Sequence, residues 1–169
     1  MLSYKRNAYC GRIDESMIGR EVHLSGWVQR TRDLGGVVFV WLRDREGLVQ
    51  LVFDEAACGA ENFKLGGSLR SEYVVSVEGE VRMRAPEAVN EKMPNGDVEV
   101  LVLKAELINK SETPPIYIDD GAKENDLVRL KYRYLDLRRP SLQAILRLRS
   151  KVQSVIRRYM DENGFTDVE

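Results

Sequence analysis

The stretch GWVQRTRDLGGVVFVWLRDREGLVQLVF, Gly26–Phe53, contains the clearest strand and turn signals in the sequence. Turn residues interrupt this stretch at two places. The first turn is Asp33–Gly36, whose two glycines accept positive φ without steric cost, and the second is Glu46-Gly47. The segments around these turns are rich in β-branched and aromatic residues, or alternate between polar and apolar residues, as strands do. The predicted strands are Glu21–Asp33, Val37–Arg45 and Leu48–Phe53.

Downstream of this stretch the pattern extends to five strands. Ala56–Arg70 is weakly helical, and Tyr73–Arg84 and Asp97–Ile108 are predicted as the fourth and fifth strands. Ala85–Gly96 contains two prolines and is predicted as a loop, and Gly79 predicts a bulge or bend. Three strands, a short helix and two strands is the order of the OB-fold, a five-stranded barrel that binds oligonucleotides. The order alone also permits other small barrels and does not fix the function.

The residues after Lys110 have a different character. Ser111–Asp126 holds two prolines, several acids and no periodicity, which is typical of a linker. An amphipathic helix is predicted from Ser141, with Pro140 before it and Gly164 placed to end it. Its apolar stripe consists of Ile145, Leu148, Val152, Val155, Ile156 and Tyr159.

This division predicts a mainly β protein with a barrel over residues 1–110, a linker over 111–140, and a long helix that starts a second domain over 141–169. A lone amphipathic helix cannot bury its own apolar stripe, so the helix is expected to pack on the barrel, on a further domain or on another subunit. The sequence ends at Glu169, and we expect this end to be a cut inside a longer domain.

Composition excludes several classes of protein. Apolar residues make up 43% and charged residues 31% of the chain, which suits a soluble cytoplasmic protein. The sequence has no apolar run long enough for a membrane helix and no secretory signal. Cys10, Cys58 and His23 do not make a zinc site, and reduced thiols are expected. The sequence lacks GxxxxGK[ST] and HExxH motifs, so we assign no catalytic residue, metal ligand or cofactor-binding residue to this chain.

The net charge of −1 does not suggest a nucleic-acid binder, but the distribution of charge is uneven. Between Arg129 and Arg158 there are ten basic residues and one acid, Asp136. Such a block can attract phosphates. It can equally be a solvated helix face, or charge that a partner domain neutralises, and the sequence leaves both interpretations open.

Strand alternation places two side chains with binding chemistry on one outer face. Successive strand residues point to opposite faces, so the apolar set Val38, Val40 and Leu42 predicts the core side and leaves Phe39 outside. On the third strand the same rule leaves Gln50 outside. An aromatic ring on an open barrel face can stack on a base, and an amide offers both a donor and an acceptor to the edge of a base. The alternative is that Phe39 and the neighbouring Trp41 are covered by 56–70 or by the linker.

Several charged residues lie near this face. Arg30 and Arg32 end the first strand, and Arg82 and Arg84 end the fourth. The guanidinium fork suits phosphates and base edges, although arginine at a strand end is also ordinary surface. Glu99, in the fifth strand, could accept a hydrogen bond from a base amino group or simply be a solvated residue.

Four segments of the sequence carry a family resemblance. The run Gly26–Phe53 resembles the anticodon-binding barrel of bacterial-type aspartyl-tRNA synthetases. RLKYRYLDLRRP, Arg129–Pro140, is similar to the segment that joins this barrel to the catalytic domain. Gly164–Glu169 is similar to the opening of class II motif 1, and Tyr9–Gly11 fits the bacterial pattern. The resemblance covers essentially the whole chain.

The resemblance implies roles for the outer-face residues. Phe39 would stack on the central anticodon base, a uridine, and Gln50 would hydrogen-bond its edge. Arg32 would approach the third anticodon base and Glu99 the first. Supporting phosphate or base contacts are implied for Arg30, Arg82 and Arg84.

The full-length enzyme implied by the resemblance joins aspartate to its tRNA, with a GUC anticodon, using ATP and magnesium. It would form a homodimer through the helix Ser141–Asn163. This chain is expected to lack motifs 2 and 3, so it would bind the anticodon loop without catalysing and would hold neither ATP nor magnesium. Two alternatives stay open: a freestanding OB-fold binder of single-stranded nucleic acid, and the equivalent domain of an asparaginyl- or lysyl-tRNA synthetase. Whether the parent also charges asparagine tRNA is not decided by the sequence.

Overall fold

A computed structural model describes residues 5–91, 93–121 and 123–168. The chain divides into two compact units, Met1–Pro114 and Pro115–Glu169. Within the described ranges, no helix combines the length and the apolar character needed to span a lipid bilayer.

The first unit is a closed five-stranded barrel. The strands are β1 (Glu21–Asp33), β2 (Val37–Arg43), β3 (Leu48–Asp54), β4 (Val74–Met83) and β5 (Val98–Asn109). Helix α1 (Glu55–Ser68) connects β3 to β4. The strand order around the barrel is β1-β2-β3-β5-β4; β3 and β5 pair in parallel, and every other pair is antiparallel. The predicted OB-fold is confirmed.

The barrel interior follows the alternation of the strands. Val38, Val40 and Leu42 of β2 are fully buried, and so are Val49 and Leu51 of β3. These residues belong to one apolar cluster to which all five strands contribute. Because burial of apolar surface is the main favourable term in folding, this cluster determines which face of each strand points inward.

The second strand ends earlier than predicted, at Arg43 instead of Arg45. The reason is Asp44, whose Oδ1 accepts hydrogen bonds from the backbone N–H groups of Glu46 (2.8 Å) and Gly47 (3.2 Å). Its Oδ2 accepts from the backbone N–H of Cys10 at 2.8 Å. An aspartate that bonds the backbone two and three residues later forms a turn, so Asp44 closes the β2–β3 hairpin.

The weakly predicted helix is present as α1 and is one residue earlier at its start. Asp54 accepts a hydrogen bond from the backbone N–H of Ala56 and so caps the helix. Gly59 interrupts the helical geometry with a φ of 75°. The helix ends at Ser68, two residues before the predicted Arg70.

Gly79 marks a bulge in β4, as predicted. The register between β4 and β5 shifts between Glu78 and Gly79. A Cβ atom at Gly79 would overlap the carbonyl oxygen of Leu101 and would lie 2.7 Å from Cγ1 of Val100. The close approach of β5 therefore requires a residue without a side chain.

Gly79→Ala should destabilise the barrel by about 1–3 kcal/mol, since β5 must move to admit the methyl group. Denaturant unfolding of the variant measures the loss. Gly67→Ala is the matched control: Gly67 lies in α1 and has no heavy atom within 4 Å of an added Cβ. This variant should be unchanged or more stable by up to about 1 kcal/mol. Equal unfolding midpoints for the two variants would contradict the close-approach argument.

The second unit is helical. It contains α2 (Asp126–Lys131), α3 (Arg133–Asp136) and α4 (Pro140–Glu162). The long helix matches its prediction to within one residue at each end. The two short helices were not predicted, because segments of six and four residues are too short to show a period.

Part of the basic block is neutralised inside the second unit. Asp136 is fully buried and receives hydrogen bonds from Arg129 Nε (3.0 Å) and Arg133 Nη1 (2.7 Å). Arg139 also pairs with Asp136, at 3.1 Å, and with Glu124. The hydrogen bond from Arg129 and the surrounding positive charge hold the pKa of Asp136 below its usual range. These three arginines therefore serve an internal ion-pair network.

The apolar stripe of α4 is exposed. All six of its predicted members have more than a third of their surface accessible: Ile145, Leu148, Val152, Val155, Ile156 and Tyr159. A continuous exposed apolar stripe of this kind is typical of a surface that contacts another protein surface.

Candidate nucleic-acid interface

Five side chains form one row across all five strands of the barrel. Arg30 of β1 lies opposite Trp41 of β2, and Trp41 lies opposite Gln50 of β3. On the other side of the row, Arg82 of β4 lies opposite Glu99 of β5. A hydrogen bond from Gln50 to Glu99 joins the two halves. Residues directly opposite each other on one face of a sheet are in contact range, so the row is a continuous polar and aromatic track.

A second pair lies beside this row. Arg32 of β1 is opposite Phe39 of β2. Both residues, together with part of the row, border a pocket of about 310 Å³. The lining residues are Arg30, Arg32, Leu34, Phe39, Trp41, Gln50 and Ala88. Phe39 and Trp41 are both half-buried and border this pocket, and no residue of α1 lines it.

The polar groups of the row are connected by hydrogen bonds. Trp41 Nε1 donates to Gln50 Oε1 at 3.3 Å, and Gln50 Nε2 donates to Glu99 Oε2 at 2.9 Å. Arg82 Nε donates to Glu99 Oε1 at 2.8 Å. Gln50 still has one N–H and one acceptor position on its amide, because an amide has two of each. The amide is therefore held by the protein and still able to bind a ligand.

Glu99 is not a solvated face residue. It is only 6% exposed, and burying a carboxylate is costly unless it is paired. Arg82 provides the pairing at 2.8 Å, and Arg84 adds a second guanidinium with its Nε 4.0 Å from Glu99 Oε2. Glu99 thus connects the amide of Gln50 to two basic residues at the end of β4.

Comparison with known proteins assigns this barrel to a family. Residues 22–108, nearly the whole barrel, match the OB-fold nucleic acid binding domain family. The chain belongs to that family. Residues 125–169 match the class II tRNA synthetases of the D, K and N group.

Relatives of this OB-fold chain over nearly its whole length are aspartate–tRNA ligases. It is 48% identical over 165 residues to the aspartate–tRNA(Asp/Asn) ligase of Symbiobacterium thermophilum and equally to the aspartate–tRNA ligase of Listeria monocytogenes serotype 4a. Each match covers 98% of this chain, and the chain spans 28% of each relative's length. The barrel is thus an OB-fold nucleic acid binding domain that is similar in sequence to the corresponding part of these aspartate–tRNA ligases.

A solved structure shows the same architecture. The asparaginyl-tRNA synthetase from Pyrococcus horikoshii, complexed with asparaginyl-adenylate, matches with a TM-score of 0.79 and 29% identity. The match covers 99% of this chain and 36% of that one. The architecture is therefore shared with an asparaginyl-tRNA synthetase, whereas the sequence relatives described above are aspartate–tRNA ligases.

The arginines predicted for this OB-fold surface are not equivalent. Arg30 and Arg32 are exposed and border the pocket, and Arg82 is partly exposed while paired with Glu99. Arg84, in contrast, is 4% exposed, and its Nε donates to the carbonyl oxygen of Val98 at 2.9 Å. Burial lowers the pKa of Arg84. Because its guanidinium is enclosed, Arg84 supports Glu99 from within and does not present itself to a phosphate.

Three pocket residues were not predicted as site residues. Trp41 shares the outer alternation set with Phe39, so the period of β2 already placed it on the correct face. Leu34 lies in the β1–β2 turn, and Ala88 lies in a short 3-10 turn, Pro86–Ala88, between β4 and β5. Nothing in the local sequence of these last two residues indicates that their loops border the same pocket, since that proximity arises from closure of the barrel.

Proposed function

We propose that this barrel binds the anticodon loop of a tRNA, with the sequence GUC, and reads its central uridine through Phe39 and Gln50. The observation that carries the proposal is the row from Arg30 to Arg82 on the OB-fold barrel. In this row the amide of Gln50 is held by hydrogen bonds and lies in the pocket that Phe39 also borders. Aromatic stacking, amide hydrogen bonding and nearby basic groups are the combination that single-stranded nucleic acids require.

Each role follows from chemistry. The ring of Phe39 offers a stacking surface for a base, and the free donor and acceptor of Gln50 can pair with the N3–H and O4 groups of uracil. Arg32, opposite Phe39, is proposed to contact the third anticodon base and Glu99 the first. Arg30 and Arg82 are proposed to contact phosphates or base edges, since a guanidinium bonds two acceptors at once.

The proposal extends to a longer protein. Relatives over 98% of this chain are aspartate–tRNA ligases, so we propose that the chain is part of a cytoplasmic enzyme that joins aspartate to its tRNA using ATP and magnesium. In the described ranges no group of three or more acidic, histidine or cysteine side chains could hold a metal ion. The exposed apolar stripe of α4 supports a homodimer as the assembly of that enzyme.

Two other functions are less well supported. A freestanding binder of single-stranded nucleic acid is disfavoured by the match of residues 125–169 to class II tRNA synthetases. An asparaginyl- or lysyl-tRNA synthetase is disfavoured by the 48% identity to aspartate–tRNA ligases. One of these relatives is named for both aspartate and asparagine tRNA, so charging of asparagine tRNA is kept as a variant of the proposal.

Binding to two anticodon stem-loops tests the proposal. One carries GUC and the other carries C in place of the central U, and both are titrated at one fixed salt concentration because phosphate contacts depend on salt. The GUC loop should bind at least about tenfold more tightly, the equivalent of about 1.4 kcal/mol, since a mismatched edge leaves polar groups unpaired.

Gln50→Ala should reduce this discrimination more than it reduces affinity for the GUC loop, because the variant loses the reading amide and keeps Phe39. A uniform loss of affinity for both loops would contradict the assignment to Gln50. Equal binding of the original protein to both loops, falling steeply with salt, would favour a binder that contacts only phosphates.

A further inference from the structure

Trp41 has no role in the proposed function, although it lies in the pocket and bonds to Gln50. We propose that Trp41 is a positioning residue which, together with Glu99, holds the amide of Gln50 in a single orientation and so gives the pocket its preference for uracil over cytosine. This inference rests on the proposed function, because it explains how the same amide discriminates.

The two neighbours of Gln50 have opposite and fixed hydrogen-bonding character. The indole N–H of Trp41 can only donate, and an ionised carboxylate can only accept. Gln50 Oε1 therefore belongs on the Trp41 side, 3.3 Å from Nε1, and Nε2 on the Glu99 side, 2.9 Å from Oε2. A flipped amide would set its oxygen against the carboxylate and its NH₂ group against the indole N–H, replacing two attractions with two repulsions.

The carboxylate end of this arrangement is itself secured. Glu99 is buried, and Arg82 donates to its other oxygen at 2.8 Å. The Nε of Arg84 lies 4.0 Å from the oxygen that receives Gln50. The two guanidiniums therefore fix the position of the carboxylate whose Oε2 accepts the hydrogen bond from Gln50.

An amide in one fixed orientation discriminates between uracil and cytosine, whereas a freely rotating amide does not. Uracil presents the donor N3–H and the acceptor O4, and cytosine presents the acceptor N3 and the donor N4–H₂ in the same places. An amide that can flip exchanges its donor and acceptor and satisfies either base. An amide fixed by Trp41 and Glu99 offers one order, and the base with the wrong order leaves both groups unpaired, which is costly in a partly dry site.

Trp41→Phe tests the inference because it keeps an aromatic ring and removes only the N–H donor. The ratio of affinities for the central-U and central-C stem-loops should fall by about two- to tenfold, which is the effect expected for one neutral hydrogen bond. The change should come mainly from tighter binding of the central-C loop. Trp27→Phe is the matched control, since Trp27 lies in β1 and does not border the pocket; its ratio should be unchanged.

A measurement without RNA separates this inference from the proposed function. The side-chain NH₂ signals of Gln50, observed by NMR, should differ from those of exposed amides in the original protein and should move towards them in Trp41→Phe. If the original protein does not discriminate between the loops, the proposed function fails. If it discriminates and Trp41→Phe discriminates equally, or if Trp41→Phe weakens both loops to the same extent, the positioning role of Trp41 is overturned.

Discussion

Phe39→Ala should weaken binding of the GUC stem-loop by about 1–3 kcal/mol, the usual contribution of one base stacked on an aromatic ring. Phe39 lies opposite Arg32 and borders the pocket, and its ring lies outside the core cluster. Removing the ring should therefore reduce RNA affinity with little loss of folding stability. Titration of the stem-loop, combined with thermal unfolding of the free protein, measures both effects.

Two variants make the Phe39 result specific. Phe39→Trp preserves a stacking surface and should retain most of the affinity. Tyr117→Ala removes an aromatic ring that is 72% exposed in the second unit and should leave anticodon affinity unchanged. An unaltered dissociation constant for Phe39→Ala would show that no base stacks there.

Glu72→Gln should destabilise the barrel by about 3–5 kcal/mol, which is the effect of leaving a buried charge without its partner. Arg43 and Glu72 are each 7% exposed. Arg43 Nη2 lies 2.7 Å from one carboxylate oxygen of Glu72 and 2.8 Å from the other. The substitution keeps the shape of the side chain at residue 72, so the change in denaturant unfolding reports the loss of charge.

A double variant and an exposed ion pair provide the controls. Arg43→Met combined with Glu72→Gln removes both charges and should recover much of the lost stability, because a buried pair replaced by uncharged groups of similar volume is often neutral. Lys104→Gln breaks a pair with Glu78 in which the lysine is 70% exposed and should cost about 0–1 kcal/mol. If Glu72→Gln costs no more than Lys104→Gln, the buried pair is not needed for folding.

The basic block shows how composition alone misleads. Ten basic residues with a single acid between Arg129 and Arg158 suggest a surface for phosphates. Three of those arginines converge on the one acid, Asp136, and so remain within the second unit. A net charge counted along the chain does not reveal which charges meet in space, and the ion pairs decide how much of the block is available to RNA.

The local periodicity of the chain was sufficient to predict five strands, a short helix, a long amphipathic helix and the face that carries Phe39 and Gln50. The prediction succeeds because side chains alternate between the two faces of a strand and return to the same face of a helix every three or four residues. Both periods can therefore be recognised from residues that are close together in the sequence. The turn residues Asp33–Gly36 and Glu46-Gly47 showed where the first strand ends and the second begins, and where the second ends and the third begins.

The register between strands, by contrast, comes only from tertiary structure. The pairing of β2, β3 and β5 places Trp41, Gln50 and Glu99 in one hydrogen-bonded row, although Gln50 and Glu99 are 49 residues apart in the chain. Barrel closure also buries Glu99 and Arg84, which their own neighbours in sequence mark as ordinary surface. Burial and pairing of a residue depend on which residues of distant strands pack against it. The alternation of residues within one strand does not reveal these contacts.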